Sequence, residues 1–201
     1  MLNFSAPLQR LMIASGNAGK IAEFQEYLAD LGVQLLAKPQ ELDIDETGTT
    51  FLANAHLKAS QVALATGEWA LADDSGLEVM ALNGAPGVLS ARYAPTDAQR
   101  IERILAELNG NPQREAQFVC AIAIASPDGQ IAAEALGVCR GEITHTPRGD
   151  KGFGYDPIFM EVSHQLTFGE MAPEIKAEIS HRAQALAILR PQLISLARQS
   201  A

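Results

Sequence analysis

The chain has 201 residues, 47% of them apolar and 19% charged, which suits one ordinary globular domain with a substantial core. A formal net charge of −9 excludes broad, nonspecific adhesion to nucleic acid or anionic membrane, but not a small polyanionic ligand held by a local cluster of cations. No apolar run approaches the roughly 20 residues that cross a bilayer, no signal-like segment opens the chain, and Cys120 and Cys139 are too few and too far apart for a CxxC pair or a disulfide framework, so both are expected as reduced, buried thiols in a cytoplasmic protein.

Residues 9–14 read as a first strand running into the turn Ser15-Gly16-Asn17-Ala18-Gly19-Lys20. Ile21, Phe24, Leu28 and Leu31 then recur at helical spacing, so a helix is expected over 20–31, ended by Gly32. A short strand over 33–36 follows, and an Ala-rich helix over 50–66 stops before Gly67. Strands near 69–73 and 77–82 flank the acidic stretch Asp73-Asp74-Ser75-Gly76, expected as a turn at a strand end, before a loop at 83–87. Asp97 is placed as the cap of a helix to about Leu108, ended by Asn109-Gly110-Asn111-Pro112. Runs 115–126 and 130–142, joined by Ser126-Pro127-Asp128-Gly129, predict a β-hairpin. A Gly-rich loop over 143–156 and a strand over 157–161 come next. Ser180 caps a last helix to about Arg198, which bends or restarts near Pro191. Early alternation of strand and helix with a late hairpin predicts an α/β chain whose mixed, twisted sheet is flanked by helices.

Several segments hold groups that carry chemistry. At residues 15–20 a strand enters a Gly-containing turn and then a helix, where backbone N–H groups, the Asn17 amide and Lys20 can hold phosphate. It is no Walker A loop, since Ile21 follows the lysine, and a plain strand-to-helix turn explains the same residues. In Asp45-Glu46-Thr47-Gly48 the Glu46 carboxylate is free to swing toward Asp73 and Asp74, while Asn54 and Lys58, four apart, share a helix face. A solvated acidic turn is the plainer alternative there. Asp73, Asp74 and Ser75 offer the oxygen ligands that Mg²⁺ takes together with phosphate oxygens, or simply an Asx-type turn.

Further on, the glycines at 149, 152 and 154 give the backbone freedom. Phe153 and Tyr155 offer a flat surface for a base, and Asp156 an acceptor for ring N–H groups. A loop packed by two aromatics is the alternative. Lys176 and Ser180-His181-Arg182 bring donors to a helix start, where His181 alone reads as a capping or surface histidine. Together these segments fit one ligand, a nucleoside triphosphate with a divalent metal.

In order along the chain stand Ser-Gly-Asn-x-x-Lys at 15–20, Glu-Thr-Gly at 46–48, Asp-Asp-Ser-Gly at 73–76, Gly-Ala-Pro-Gly-Val-x-Ser-Ala-Arg at 84–92, Gly-Phe-Gly-Tyr-Asp-Pro at 152–157 and Ser-His-Arg at 180–182. Over about residues 10–197 the chain resembles the inosine triphosphate pyrophosphatase family, in its bacterial dITP/XTP pyrophosphatase form. The resemblance implies hydrolysis of noncanonical purine nucleoside triphosphates (ITP, dITP, XTP) to the monophosphate and pyrophosphate, clearing them from the nucleotide pool. It implies Mg²⁺ dependence, a homodimer, and a two-lobed α/β fold with the active-site cleft between the lobes.

By position, the resemblance makes Asp74 the general base and a metal ligand, Glu46 a second metal ligand and Asp73 an assisting group. Ser15, Gly16, Asn17, Ala18, Gly19, Lys20 and Ser75 would hold phosphates and sugar. Phe153, Gly154, Tyr155 and Asp156 would bind the base, joined by Lys176, His181 and Arg182. Ser15 stands where many relatives have threonine, and residues 1–8 form a short N-terminal extension with no assigned role. Two other readings compete. One is the septum-formation type of nucleotide pyrophosphatase, against which the segments at 152–157 and 180–182 speak. The other is a non-catalytic nucleotide-sensing module, which needs no water-activating carboxylates.

Overall fold

The computed structural model describes residues 8–198. Its elements in chain order are β1 (Arg10–Ile13), α1 (Ala18–Leu28), β2 (Gln34–Ala37), α2 (Phe51–Thr66), β3 (Trp69–Val79), α3 (Asp97–Glu107), β4 (Glu115–Ala125), β5 (Ile131–Ile143), β6 (Phe159–Glu161), β7 (Leu166–Thr167), α4 (Pro173–Ile179) and α5 (His181–Arg198). The strands form one seven-stranded sheet in the order β2-β1-β3-β4-β5-β6-β7. β1 runs parallel to β2 and β3, whereas β6 pairs antiparallel with β5 and β7. The sheet is therefore mixed, and the class is α/β as expected.

Local chemistry explains the helices. Asn17 caps α1 with its side-chain oxygen, which accepts from Gly19 N at 2.9 Å and Lys20 N at 3.2 Å. α1 thus begins earlier than the apolar spacing indicates, and its end tightens into a 3₁₀ turn over Ala29–Leu31. Thr50 caps α2 by accepting from Ala53 N at 3.1 Å. Ser180 caps α5 through Ala183 N at 3.2 Å, and α5 continues through Pro191 as one helix rather than restarting. The cap of α3 is Thr96, not Asp97: Thr96 and Gln99 form a capping box, which releases Asp97 for another partner. α4 and β7 are new relative to the sequence reading; seven and two residues give periodicity too little to act on.

The largest correction lies at residues 69–79. In place of two strands and a turn there is one continuous strand, β3, with Asp73-Asp74-Ser75-Gly76 inside it.

Two compact units share the chain, the division falling within β3, β4, β5 and α5. The first holds residues up to Asp74, Cys120–Gly137 and residues from Ala185 on; its core includes Leu11, Ile13, Phe24, Trp69, Ile122 and Leu189. Leu8 is buried in this core, while the rest of the extension expected over 1–8 lies outside the described residues. The second unit holds Ser75–Val119 and Val138–Gln184, around Leu77, Ile104, Phe118, Ile143, Phe159 and Phe168. No helix among the described residues is long and apolar enough to cross a membrane.

Both cysteines are buried and neither forms a disulfide. Burial, with the nearby Glu161 carboxylate adding to it, pushes the Cys139 thiol up to about 12. The thiolate is the reactive form, which protects Cys139, and Cys120 has no exposed surface, so neither cysteine of the folded protein is expected to be alkylated by iodoacetamide at mildly alkaline pH. Peptide mass spectrometry should find both labelled only after denaturation; rapid labelling of the native chain would contradict this.

Candidate active site

Asp73 and Asp74 occupy successive positions of β3, so their side chains leave opposite faces of the strand. Each is almost fully buried, at 1% and 6% exposure. A buried carboxylate demands a cation or hydrogen-bond donors, and two helices supply them. Lys20, in the first turn of α1, places its ammonium 2.8 Å from Asp73 Oδ2. On α2, Asn54 Nδ2 donates to Asp74 Oδ2 at 2.9 Å, and Lys58 Nζ lies 3.5 Å from Asp74 Oδ1. That separate provision on two faces is why a strand tolerates the acidic pair without turning.

Lys58 also donates to Glu46 Oε1 at 2.7 Å, so one ammonium bridges carboxylates from two segments. Burial raises the Asp74 carboxyl above its ordinary value; Lys58 and Asn54 oppose that rise and Glu46 adds to it. Burial works against the Lys58 ammonium, but Asp73, Asp74 and Glu46 outweigh it and hold its pKa above the ordinary value. Among the described residues no three His, Cys, Asp or Glu side chains form a ready metal cluster. The bridging ammonium nonetheless marks where positive charge satisfies both Glu46 and Asp74. Two hard oxygen donors of this kind fit Mg²⁺, which takes few protein ligands and completes its shell with water and phosphate oxygens.

In the turn at 15–20, Ser15 Oγ accepts from Asn17 N at 3.2 Å, while the Asn17 cap engages the amides of Gly19 and Lys20. Gly16, Asn17 and Ala18 are exposed. Two of the N–H donors expected for phosphate thus have an internal acceptor, and Lys20 sits on Asp73.

The second unit gathers the remaining candidates. Asp156, buried, accepts from Phe153 N at 2.8 Å and from Lys176 Nζ at 2.7 Å, both at Oδ2. That oxygen of the carboxylate therefore closes its own loop. Gly152 is required beside it, because φ is +75° and a Cβ would stand 2.0 Å from Asp156 Oδ2. Lys176 Nζ lies 5.0 Å from the Phe153 ring centroid. Tyr155 belongs to the core of this unit and donates its hydroxyl to Ser90 O at 2.9 Å, so the half-exposed Phe153 is the more available flat surface. His181 stacks on Phe118 with ring centroids 4.7 Å apart, and Arg182, 1% exposed, donates from Nη2 to Ser75 Oγ at 3.1 Å.

With this geometry established, comparison with known proteins is decisive. The model of the Ham1 family matches residues 11–192. The chain belongs to the Ham1 family. A dITP/XTP pyrophosphatase of Nostoc sp. is 58% identical to it over 95% of this chain and 97% of the relative. A second protein of that name, from Synechocystis sp., is 57% identical over 87% of this chain and 90% of its own. A solved HAM1 protein from Coxiella burnetii matches with a TM-score of 0.84 and 45% identity, covering 94% of this chain and 98% of that one.

This Ham1 chain also has a contact that residue spacing did not reveal. Asp97, displaced from capping by Thr96, accepts from Gly154 N at 2.9 Å through Oδ2 and from Arg100 Nη1 at 2.7 Å through Oδ1. The Thr96–Gln99 pattern was the available signal, because a capping box already satisfies the helix start. Asp97→Ala is expected to speed hydrogen exchange at the Gly154 amide at least about tenfold, the effect of losing roughly 1.5 kcal/mol of charge-assisted bonding. Exchange mass spectrometry of the loop checks it; unchanged exchange would mean other contacts hold Gly154.

Proposed function

We propose that this Ham1-family chain is a nucleoside-triphosphate pyrophosphatase that hydrolyses ITP, dITP and XTP to the monophosphate and pyrophosphate. It works as a cytoplasmic homodimer with Mg²⁺. The observation that carries the reading is the buried Asp73–Asp74 pair with Lys20, Lys58 and Glu46 around it, in a chain whose relatives in Nostoc and Synechocystis are named dITP/XTP pyrophosphatases. A module that only bound nucleotide would gain nothing from burying so much negative charge.

In the proposed reaction, water attacks the α-phosphorus, the bond from that phosphorus to the bridging oxygen breaks, and pyrophosphate leaves. Asp74 accepts the proton of the attacking water. Glu46 and Asp74 would hold Mg²⁺, whose contribution would be neutralised phosphate charge and a more acidic water. Lys20 and Lys58 are the cations of this cluster, and with the turn at 15–20 and Ser75 they offset the charge of the triphosphate. The base goes to Phe153, Gly154, Tyr155 and Asp156 with Lys176, His181 and Arg182. Hypoxanthine and xanthine carry an acceptor oxygen at C6 where adenine carries an amine. Donors from His181 and Arg182 suit the oxygen and are left unsatisfied by ATP. Guanine shares that oxygen, so GTP is rejected at its 2-amino group.

The test is pyrophosphate release from ITP, XTP, GTP and ATP, each with and without Mg²⁺. Metal-dependent release from ITP and XTP, with little from GTP and ATP, is the expected result. Comparable rates on all four would keep the chemistry and remove the base recognition. A preference for UTP would favour the septum-formation type, and no turnover on any substrate would favour a sensing module. Light scattering after gel filtration checks the dimer.

A further inference from the structure

We propose that Asn54 is a positioning residue that gives the two oxygens of Asp74 different tasks. Oδ2 is an anchored acceptor, and Oδ1 is left as the oxygen that would face a metal ion and water. This rests on the pyrophosphatase reading and deepens it.

Asn54 is fully buried, and both ends of its amide are engaged. Its Oδ1 accepts from Gly48 N at 2.7 Å, which leaves Nδ2 to face Asp74 Oδ2 at 2.9 Å. A flipped amide would set donor against donor at Gly48 and oxygen against carboxylate at Asp74, so the orientation is fixed from both sides. Residue 48 must be glycine for this contact: a Cβ there would stand 2.6 Å from Asn54 Oδ1 and 2.9 Å from Asn54 N. Glu46 lies two residues earlier on the same segment, so Asn54 ties the backbone carrying one metal-type carboxylate to the side chain of the other.

Lys58, one helical turn beyond Asn54, completes the division. It reaches Asp74 on Oδ1, at 3.5 Å, and Glu46 at 2.7 Å. α2 therefore offers a donor to each oxygen of Asp74, and the two donors differ in kind. The Asn54 amide is short, neutral and locked. The Lys58 ammonium sits on a flexible four-carbon stem and can yield Oδ1 to an incoming cation or move with a phosphate. A free carboxylate rotates between equivalent settings about its broad terminal torsion; Asn54 removes that freedom and holds Oδ1 in one direction before substrate arrives, the kind of preorganisation on which proton transfer from a bound water depends.

Two variants and one exchange measurement test this. Asn54→Asp keeps the shape and the acceptor for Gly48 N but loses the donor to Asp74; Asn54→Ala loses both. In each, kcat for ITP is expected to fall about 100-fold, as for misplacement of a reacting group by about an ångström, with KM little changed. By NMR, the Gly48 amide and the Asn54 side-chain amide of the wild-type protein should exchange slowly with solvent. The Gly48 amide should stay protected in Asn54→Asp and exchange freely in Asn54→Ala. Wild-type kcat in either variant, a loss carried by KM instead of kcat, or fast exchange in the wild-type protein would overturn the proposal. The wild-type exchange measurement needs no folded variant and no turnover. Absence of pyrophosphate release by the wild-type protein is a separate result and counts against the pyrophosphatase reading.

Discussion

Asp74→Asn is expected to lower kcat for ITP by about 1000-fold, the range for losing a positioned base, while leaving the metal-free protein at least as stable as wild type. The two halves of this expectation have one cause. Burial holds the Asp74 carboxyl above its ordinary value of 3.8, against the pull of Lys58 and Asn54. The folded chain therefore binds this proton more tightly than the unfolded chain does, and ionisation costs stability. The sign is opposite to that of a well-paired surface carboxylate. As pH rises from about the unfolded value through the raised folded one, this group's contribution to stability falls, because the folded state binds the proton more tightly than the unfolded state. Asparagine carries no such penalty, and its oxygen can still accept from Asn54. Lys58 keeps Glu46 as a partner. The melting temperature of the variant relative to wild type should therefore rise from acid to neutral pH in metal-free buffer. A fall of more than about 3 °C at neutral pH, equivalent to roughly 1 kcal/mol in a chain of this size, would mean that the contact with Lys58 outweighs burial. Near-normal kcat would remove Asp74 from the mechanism.

Which parts of this were legible follows from what a sequence encodes locally. α2 and α5 were readable because apolar composition, a capping hydroxyl at Thr50 or Ser180 and a stop signal lie within one short window. The hairpin of β4 and β5 was readable for the same reason. β3 was not. Asp-Asp-Ser-Gly is turn chemistry by local rules, and only distant residues overrule it: Lys20 answers Asp73 on one face of the strand, and Asn54 with Lys58 answers Asp74 on the other. Among the candidate site residues, types were legible and partners were not. Asp156 was recognised as chemically important, but its use, closing a loop onto Phe153 N and Lys176, depends on a residue 20 positions away. Phe153 and Tyr155 read alike as flat surfaces or as packing for a loop, and only the fold separates them, placing the Tyr155 ring in the core. Asp97 was misplaced by a single position in a helix start, and with it went the contact to Gly154.

Arg182→Ala is expected to lower the preference for ITP over ATP, measured as the ratio of kcat/KM values, by at least about tenfold, the worth of one buried donor to an acceptor oxygen. The same change should also cost stability. Arg182 is among the largest fully buried side chains, and its Nη2 donates to Ser75 Oγ at 3.1 Å. Truncation leaves a void and strips Ser75 of a donor, together worth about 3 kcal/mol, or roughly 6–12 °C in melting temperature. Because both effects come from one side chain, the alanine variant alone does not separate recognition from packing. Arg182→Lys does. It restores most of the volume and the charge but not the planar fork of donors, so it should recover much of the lost stability while the ITP preference stays reduced. If selectivity returned in step with stability across the two variants, Arg182 would be a packing residue, and discrimination at C6 would fall to His181, whose ring is already held against Phe118. The fork of donors, more than the charge, is what an acceptor oxygen at C6 can use and an amine cannot.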